Sequence, residues 1–301
     1  PVRGGRLDEL RPFVNAHSDA DWKLILAWLV AALYPHGPKP VLNLRGQQGS
    51  AKSSLGRVLR SLVDPNKAPL RQPPREPHDL AITASNGWLI CMDNLSFISD
   101  WLSDALCCLA TGGGFATREL YSNDDEAIFD SRRPIILTAI EDVVQRADLL
   151  DRSISVELEP IPESRRRTEA ELNTAFDLAR PRVLGALLDV LVIALRELPQ
   201  TRLKRLPRLA DFATLVTAAE SGLGWEAGAF MAVYDANRAN ANTTLVEDNP
   251  LWPPLRMLLT DGDEWLGTAA ELLTALTATV TETVSRGREW PKTARGLSGH
   301  L

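Results

Sequence analysis

The stretch Val41-Leu-Asn-Leu-Arg-Gly-Gln-Gln-Gly-Ser-Ala-Lys-Ser-Ser54 constrains this chain more than any other. An apolar run of strand type ends in a loop of small and polar residues. Lys52 and Ser53 then open a helical pattern that continues through Leu62. Such a loop is built to surround phosphate. The backbone N–H groups of Gly46, Gln47, Gln48, Gly49, Ser50 and Ala51, and those of the helix start at Lys52, Ser53 and Ser54, converge on one centre. The Lys52 ammonium reaches the β- and γ-phosphates, and the Ser53 hydroxyl ligates Mg²⁺. The spacing follows G-x-x-x-x-G-K-[ST] except that Ala51 stands where the second glycine is expected. A methyl group there requires the Ala51 backbone to stay at negative φ.

With 301 residues, 45% of them hydrophobic, the chain buries a full core and has room for smaller helical units beside one large domain. A net charge of −6 excludes a globally basic nucleic-acid binder. Any such contact is confined to a local patch or to the lumen of an assembly. Cys91, Cys107 and Cys108 have neither zinc-type spacing nor a framework of pairs, and read as reduced, largely buried thiols of a cytosolic protein. The longest apolar run, Leu24 to Leu33, has about half the length a membrane span needs, and no secretory signal precedes it, so no membrane partner is expected. The chain opens on Pro1 and stops abruptly, which reads as a piece of a longer protein.

Ser18-Asp-Ala-Asp21 is a helix start of capping-box type, and the helix runs through Tyr34 until Pro35, Gly37, Pro38 and Pro40. A Pro-rich loop, Asp64 to Pro77, follows the phosphate-loop helix. Apolar strands are expected at Trp88–Asp93, Pro134–Ile140 and Ile154–Leu158, with a helix over Trp101–Ala110 and a hairpin formed by Phe115–Tyr121 and Ala127–Ser131. Strands alternating with helices around a phosphate loop imply an α/β fold with a parallel sheet flanked by helices. Beyond Pro162 the pattern turns helical over Arg165–Leu198 and Leu209–Asn240, with further helices near Thr268–Thr283 and Thr293–Leu301. The expected division is an N-terminal helical segment 1–39, a P-loop core 40–162, a helical subdomain 163–248 and a small unit 249–301.

Several residues narrow the chemistry. Asp93 ends an apolar strand about forty residues beyond Lys52, where a carboxylate holds the water shell of Mg²⁺; a turn-capping Asp is the plainer reading. Asn94 follows at the place where many ATPases carry a glutamate base. An amide orients water but takes no proton, so the base is missing or displaced, with Glu119 and Glu126 as substitutes or simple surface carboxylates. Thr138 ends the next strand, between the Mg²⁺ carboxylate and the γ-phosphate, or is only a β-branched strand residue. Arg152, in Arg146-Ala-Asp-Leu-Leu-Asp-Arg152, is placed to project onto the γ-phosphate of a neighbouring subunit, or else pairs with Asp148 or Asp151.

Gly46–Ser53, Leu89–Asn94, Leu109-Ala-Thr-Gly-Gly-Gly-Phe-Ala-Thr-Arg-Glu-Leu-Tyr121, Pro134–Thr138 and Leu149-Leu-Asp-Arg152 follow one another in order over about residues 40–160. In this the chain resembles the AAA+ motors of superfamily 3 helicases, most of all the ATPase modules of phage and mobile-element primase–helicases. The Ala-Lys-Ser ending of the loop is also similar to that of the minichromosome-maintenance helicases. The resemblance implies ATP and Mg²⁺ as cofactors, with Lys52 and Ser53 on phosphate and metal, Asp93 on the metal, Thr138 as sensor and Arg152 as finger. It implies a ring, usually a hexamer, that draws single-stranded or forked DNA through its channel. The family carries a second acid at the position of Asn94 and an Asn near Thr138, so this chain departs at two places that bear on hydrolysis.

In such a ring the hairpin would be the channel loop, gripping a strand through Arg118, Tyr121 and Asn123, although Asp124, Asp125 and Glu126 oppose a phosphate backbone. Leu251–Leu301 resembles the start of a winged helix without its wing, and Lys292 and Arg295 begin its recognition helix. Arg165-Arg-Arg167 and Arg202–Arg208 are basic runs that either touch DNA or are solvated helix ends and linkers. The expected function is an ATP-dependent DNA helicase motor of a phage, plasmid or mobile-element replication protein. The alternative is a nucleotide-regulated DNA-binding or assembly protein with weak hydrolysis.

Overall fold

The computed structural model describes residues 1–113, 115–118, 126–129, 132–247, 249–259, 264–287 and 290–300. The hairpin tip with Glu119, Tyr121 and Asn123 lies outside the described residues, as do the side chains of Arg118 and Glu126. The chain forms two compact units, Pro1–Arg238 and Ala239–Leu301.

In the first unit a short 3-10 turn, Leu7–Phe13, leads to α1 (Asp19–Leu33), β1 (Val41–Arg45), α2 (Lys52–Val63), α3 (Pro77–Ser85), β2 (Ile90–Leu95) and α4 (Asp100–Thr111). A two-stranded hairpin, β3 (Phe115–Arg118) and β4 (Glu126–Phe129), is followed by β5 (Ile135–Ala139), α5 (Ala147–Leu150) and β6 (Ser153–Glu157). The helices α6 (Glu169–Glu197) and α7 (Ala210–Ala219) come next, followed by α8 (Ala229–Glu247), whose residues up to Arg238 belong to this unit. The sheet has the order β2-β5-β1-β6, all parallel, and β1 lies between β5 and β6. Strands covered on both faces read as continuous apolar runs, as Ile135-Ile-Leu-Thr-Ala139 does. In an open parallel sheet the loops that leave the carboxyl ends of the central strands form a crevice, and the phosphate loop leaves β1 there.

Ser18 starts α1 by accepting the Asp21 N–H at 3.1 Å. Trp22 and every residue from Leu24 to Ala32 are buried, because α1 packs against α2, α6, α7 and β6 together. That full enclosure explains an apolar run too short for a membrane; among the described residues no helix is long and apolar enough to cross one. Leu42 and Leu44 of β1 point into the same core. The sheet edges are covered. Arg71 bridges to Met92 beside β2, and Asn237 of α8 takes up both the N–H and the carbonyl of Ser155 on β6.

One local expectation needs correction, and one helix was not expected. The pattern over Leu209–Asn240 reads as one helix, but the chain breaks between α7 and α8, where Gly224 (φ 70°) and Gly228 (φ 86°) adopt left-handed backbone that glycine alone takes at no steric cost. The apolar residues on both sides keep helical spacing, so the pattern conceals the break. The segment after the Pro-rich loop contains α3, which begins with Pro77 at its first position.

The second unit contains α9 (Trp252–Leu258), α10 (Ala269–Thr279), α11 (Glu282–Arg286) and α12 (Ala294–His300) around Leu251, Leu272, Leu276, Trp290 and Leu297. Thr268 and Glu271 form a reciprocal capping box at the start of α10. Lys292 and Arg295, expected at a recognition helix, are exposed just before and within α12.

Candidate nucleotide-binding site

The phosphate loop is shaped by its backbone. Gly46 has φ 154°, and a Cβ on it would lie 2.5 Å from the Leu158 carbonyl oxygen and 2.8 Å from the Ser50 hydroxyl, so only glycine fits. Gly49 sits at φ 83°. Ala51, expected at negative φ, is instead left-handed, with φ 62° and ψ 30°. The loop must reverse there to start α2, and that geometric demand overrides the alanine Cβ at a cost of roughly 1–2 kcal/mol. Ala51 is also the residue before the helix, and it offers no side-chain cap. The first α2 amide to meet a helical carbonyl is that of Leu55, on Ala51 at 2.9 Å. Among the described residues the N–H groups of Lys52, Ser53 and Ser54 therefore remain for an external acceptor.

Lys52 folds back over the loop, donating to the Gly46 carbonyl at 2.6 Å and the Gln47 carbonyl at 3.0 Å. Desolvation lowers its pKa, opposed by the nearby Asp93 charge. Uncapped helix amides, a glycine cradle and an ammonium held by two carbonyls and, at 3.4 Å, the Ser50 hydroxyl are complementary to a polyphosphate.

Asp93 reaches the loop because β2 is irregular. Its register against β5 shifts between Met92 and Leu95, and Asn94 takes φ 58°, a conformation asparagine tolerates better than most residues. Ser53 donates to Asp93 Oδ1 at 2.7 Å, and Thr138 donates to the same oxygen at 2.6 Å. The Asn94 backbone N–H in turn donates to the Thr138 hydroxyl at 2.9 Å. One connected set thus joins Ser53, Asp93, Thr138 and Asn94, although the Asn94 side chain is exposed and outside it. Hydroxyl and carboxylate oxygens suit Mg²⁺. Among the described residues no group of three or more His, Cys, Asp or Glu gathers to hold a metal, so an ion here would complete its shell from water and phosphate.

Arg152 stands apart from this set. Ser153 pairs with Val41, so Arg152 lies at the end of the sheet where β1 begins, whereas the loop follows Arg45 at the other end. The five residues of β1, at ~3.3 Å each, separate those ends by about 16 Å. That is more than an arginine side chain spans. Its guanidinium donates to the Asp148 carbonyl, and among the described residues it pairs with no carboxylate.

Two residues near the loop were not singled out in the sequence. Asp142, after β5, accepts from Arg45 at 2.7 Å and from Asn43 at 3.0 Å. The available signal was Asn43 itself, a polar residue in an apolar strand that must find partners once buried. Arg166, read only as part of a basic run, lies with its Nη2 3.8 Å from the position a Gly49 Cβ would take. Nothing local in the sequence signals that approach.

The chain matches the family of actinomycete integrative conjugative element replication proteins over residues 7–242, and the AICE RepA C-terminal domain over residues 253–301. It belongs to that family. No curated protein matches it in sequence. Among solved structures it is similar to SCCmec type IV Cch, described as an active helicase, with a TM-score of 0.50 and 15% identity over 83% of this chain. The likeness covers 52% of Cch, so the chain spans about half the length of that protein. The C-terminal region of NrS-1 is matched at a TM-score of 0.46 and 12% identity, over 87% of this chain and 61% of that one. At such identity the Cch likeness shows the fold alone, a P-loop NTPase-like α/β fold.

Proposed function

We propose that this actinomycete integrative conjugative element replication protein is an ATP-dependent helicase motor acting on single-stranded or forked DNA. The observation that carries the reading is the bonded set Ser53–Asp93–Thr138 against a glycine-shaped loop with Lys52 at its mouth. Chain segments far apart in sequence converge on a place where a polyphosphate fits.

In this reading the loop amides and Lys52 bind the phosphates of ATP, Ser53 and Asp93 hold Mg²⁺, and Thr138 fixes the orientation of Asp93. Bound Mg²⁺·ATP supplies the free energy of hydrolysis. Arg152 cannot serve its own loop, which supports its role as a finger presented to a neighbouring subunit, where a guanidinium offsets charge that develops on the phosphate. That role requires self-association, for which we propose a ring, with a hexamer as the number to test. The hairpin with Arg118, Tyr121 and Asn123 and the exposed Lys292 and Arg295 are the proposed DNA contacts, and the cytoplasm is the proposed compartment.

Asn94 favours a second reading. Its amide takes no proton, and its side chain is outside the bonded set, which supports a nucleotide-regulated DNA-binding or assembly protein with weak hydrolysis. ATPase activity with and without single-stranded DNA, measured beside assembly mass and strand displacement, separates the two. DNA-stimulated turnover with unwinding supports the motor. Nucleotide-dependent assembly without unwinding supports the alternative, and wild-type turnover in Lys52→Ala rules the motor out.

A further inference from the structure

We propose that Arg166 is a second cationic contact, in the same subunit as the loop, for the polyphosphate that Lys52 holds. The inference rests on the nucleotide reading of that loop and adds to it a residue outside the phosphate-loop motif.

The chain leaving β6 runs along the loop. The Leu158 N–H donates to the Arg45 carbonyl at 2.8 Å, and the Ile161 N–H donates to the Gly49 carbonyl at 3.0 Å. The next residues turn back, with the Arg165 N–H on Pro162 at 2.9 Å and the Arg166 N–H on Glu163 at 3.2 Å. This turn carries the Arg166 guanidinium to the apex of the loop. Its Nε donates to the Ile161 carbonyl at 3.3 Å, which orients the fork, and its Nη2 comes to rest beside Gly49.

The guanidinium is only weakly engaged elsewhere. Its ion-pair partner is Glu163, at 3.5 Å, and that carboxylate is 89% exposed. An exposed pair at that distance contributes little, so a phosphate would displace it readily. Gln47, Gln48 and Gly49 beneath the guanidinium are themselves exposed, leaving the space over the apex open to a ligand. A planar guanidinium presents two parallel N–H groups that match phosphate oxygens. Among the described residues neither Arg165 nor Arg167 comes within 4 Å of that Gly49 Cβ position, which singles out the middle arginine of the run.

The test measures binding of Mg²⁺·ATP and Mg²⁺·ADP by calorimetry, together with the thermal midpoint, for the full chain and for Arg166→Ala, Arg166→Lys, Arg167→Ala and Lys52→Ala. Arg166→Ala is expected to weaken ATP about tenfold or more at an unchanged midpoint. Arg166→Lys should recover part of the loss, and Arg167→Ala should match the wild type. Wild-type affinity in Arg166→Ala, with Lys52→Ala impaired, overturns this inference and leaves the nucleotide reading standing. A lower midpoint with no recovery in Arg166→Lys also overturns it, because a structural role would give that pattern. Failure of the wild-type chain to bind either nucleotide removes the nucleotide reading and this inference with it.

Discussion

Ser53 and Asp93, forty positions apart, share a hydrogen bond of 2.7 Å that ties the first turn of α2 to the end of β2. Thr138, on a third element, donates to the same Asp93 oxygen at 2.6 Å. A carboxylate held by two hydroxyls is oriented before any ligand arrives, so each hydroxyl can be removed separately and its effect read.

Thr138→Val keeps the β-branched shape and removes the hydroxyl. The Asn94 N–H loses its acceptor and Asp93 one donor, and stability should fall by about 1–3 kcal/mol. ATP affinity should change little while hydrolysis drops roughly tenfold or more, since a misoriented metal carboxylate acts mainly on the reacting state. Urea denaturation and single-turnover hydrolysis measure the two effects. Equal hydrolysis in both proteins would remove Thr138 from the site.

Lys52→Ala and Arg152→Ala should separate binding from turnover. Loss of the Lys52 ammonium is expected to abolish both ATP binding and hydrolysis. Arg152 lies at the opposite end of the sheet from its own loop, so Arg152→Ala should spare ATP binding and abolish DNA-stimulated hydrolysis. Mixing the two variants tests the role between subunits. Recovered turnover in mixed assemblies is expected, and none at any ratio would contradict it.

Ala51→Gly should be tolerated or stabilising, against the usual cost of introducing glycine. The left-handed backbone at φ 62° strains alanine, and glycine removes that strain at the cost of a more flexible unfolded chain. The expected gain is ~0.5–1 kcal/mol, read as a higher urea midpoint with an unchanged slope. A clear loss of stability would show that the Ala51 methyl is needed for packing.

Lys39 predicts a pH dependence remote from the site. It is 1% exposed, has the His36 carbonyl and the Tyr34 ring as partners and, among the described residues, no carboxylate, and burial moves its pKa from 10.5 to about 8, helped by the nearby Arg132. Between about pH 8 and the ordinary lysine range the unfolded chain binds more protons than the folded one, so stability contributed here rises with pH across that window. Lys39→Met should raise stability at neutral pH and flatten that rise. Denaturation midpoints measured at several pH values check it, and an unchanged slope would disprove it.

Much of the core was legible in the sequence. The β1–loop–α2 unit, the apolar strands β2, β5 and β6 and the buried α1 all follow from local patterns that survive folding. The left-handed Ala51 was not legible, because the demand for reversal comes from where α2 must pack and not from the residue. The break between α7 and α8 was hidden by apolar spacing that continues on either side of it. Asp142 was foreshadowed by Asn43, whereas the approach of Arg166 to Gly49 had no local signal.

The sequence by itself determined that this chain carries a phosphate-type loop, because the glycines, the lysine and the serine that define it are neighbours along one backbone. Only the tertiary structure decided that Asp93 and Thr138 meet Ser53, that Arg152 lies beyond reach of its own loop and that Arg166 lies within reach of it. Those relationships depend on strand order, register and crossover paths. Contacts between residues tens of positions apart are set by how the whole sheet packs, and no short stretch of sequence contains that information.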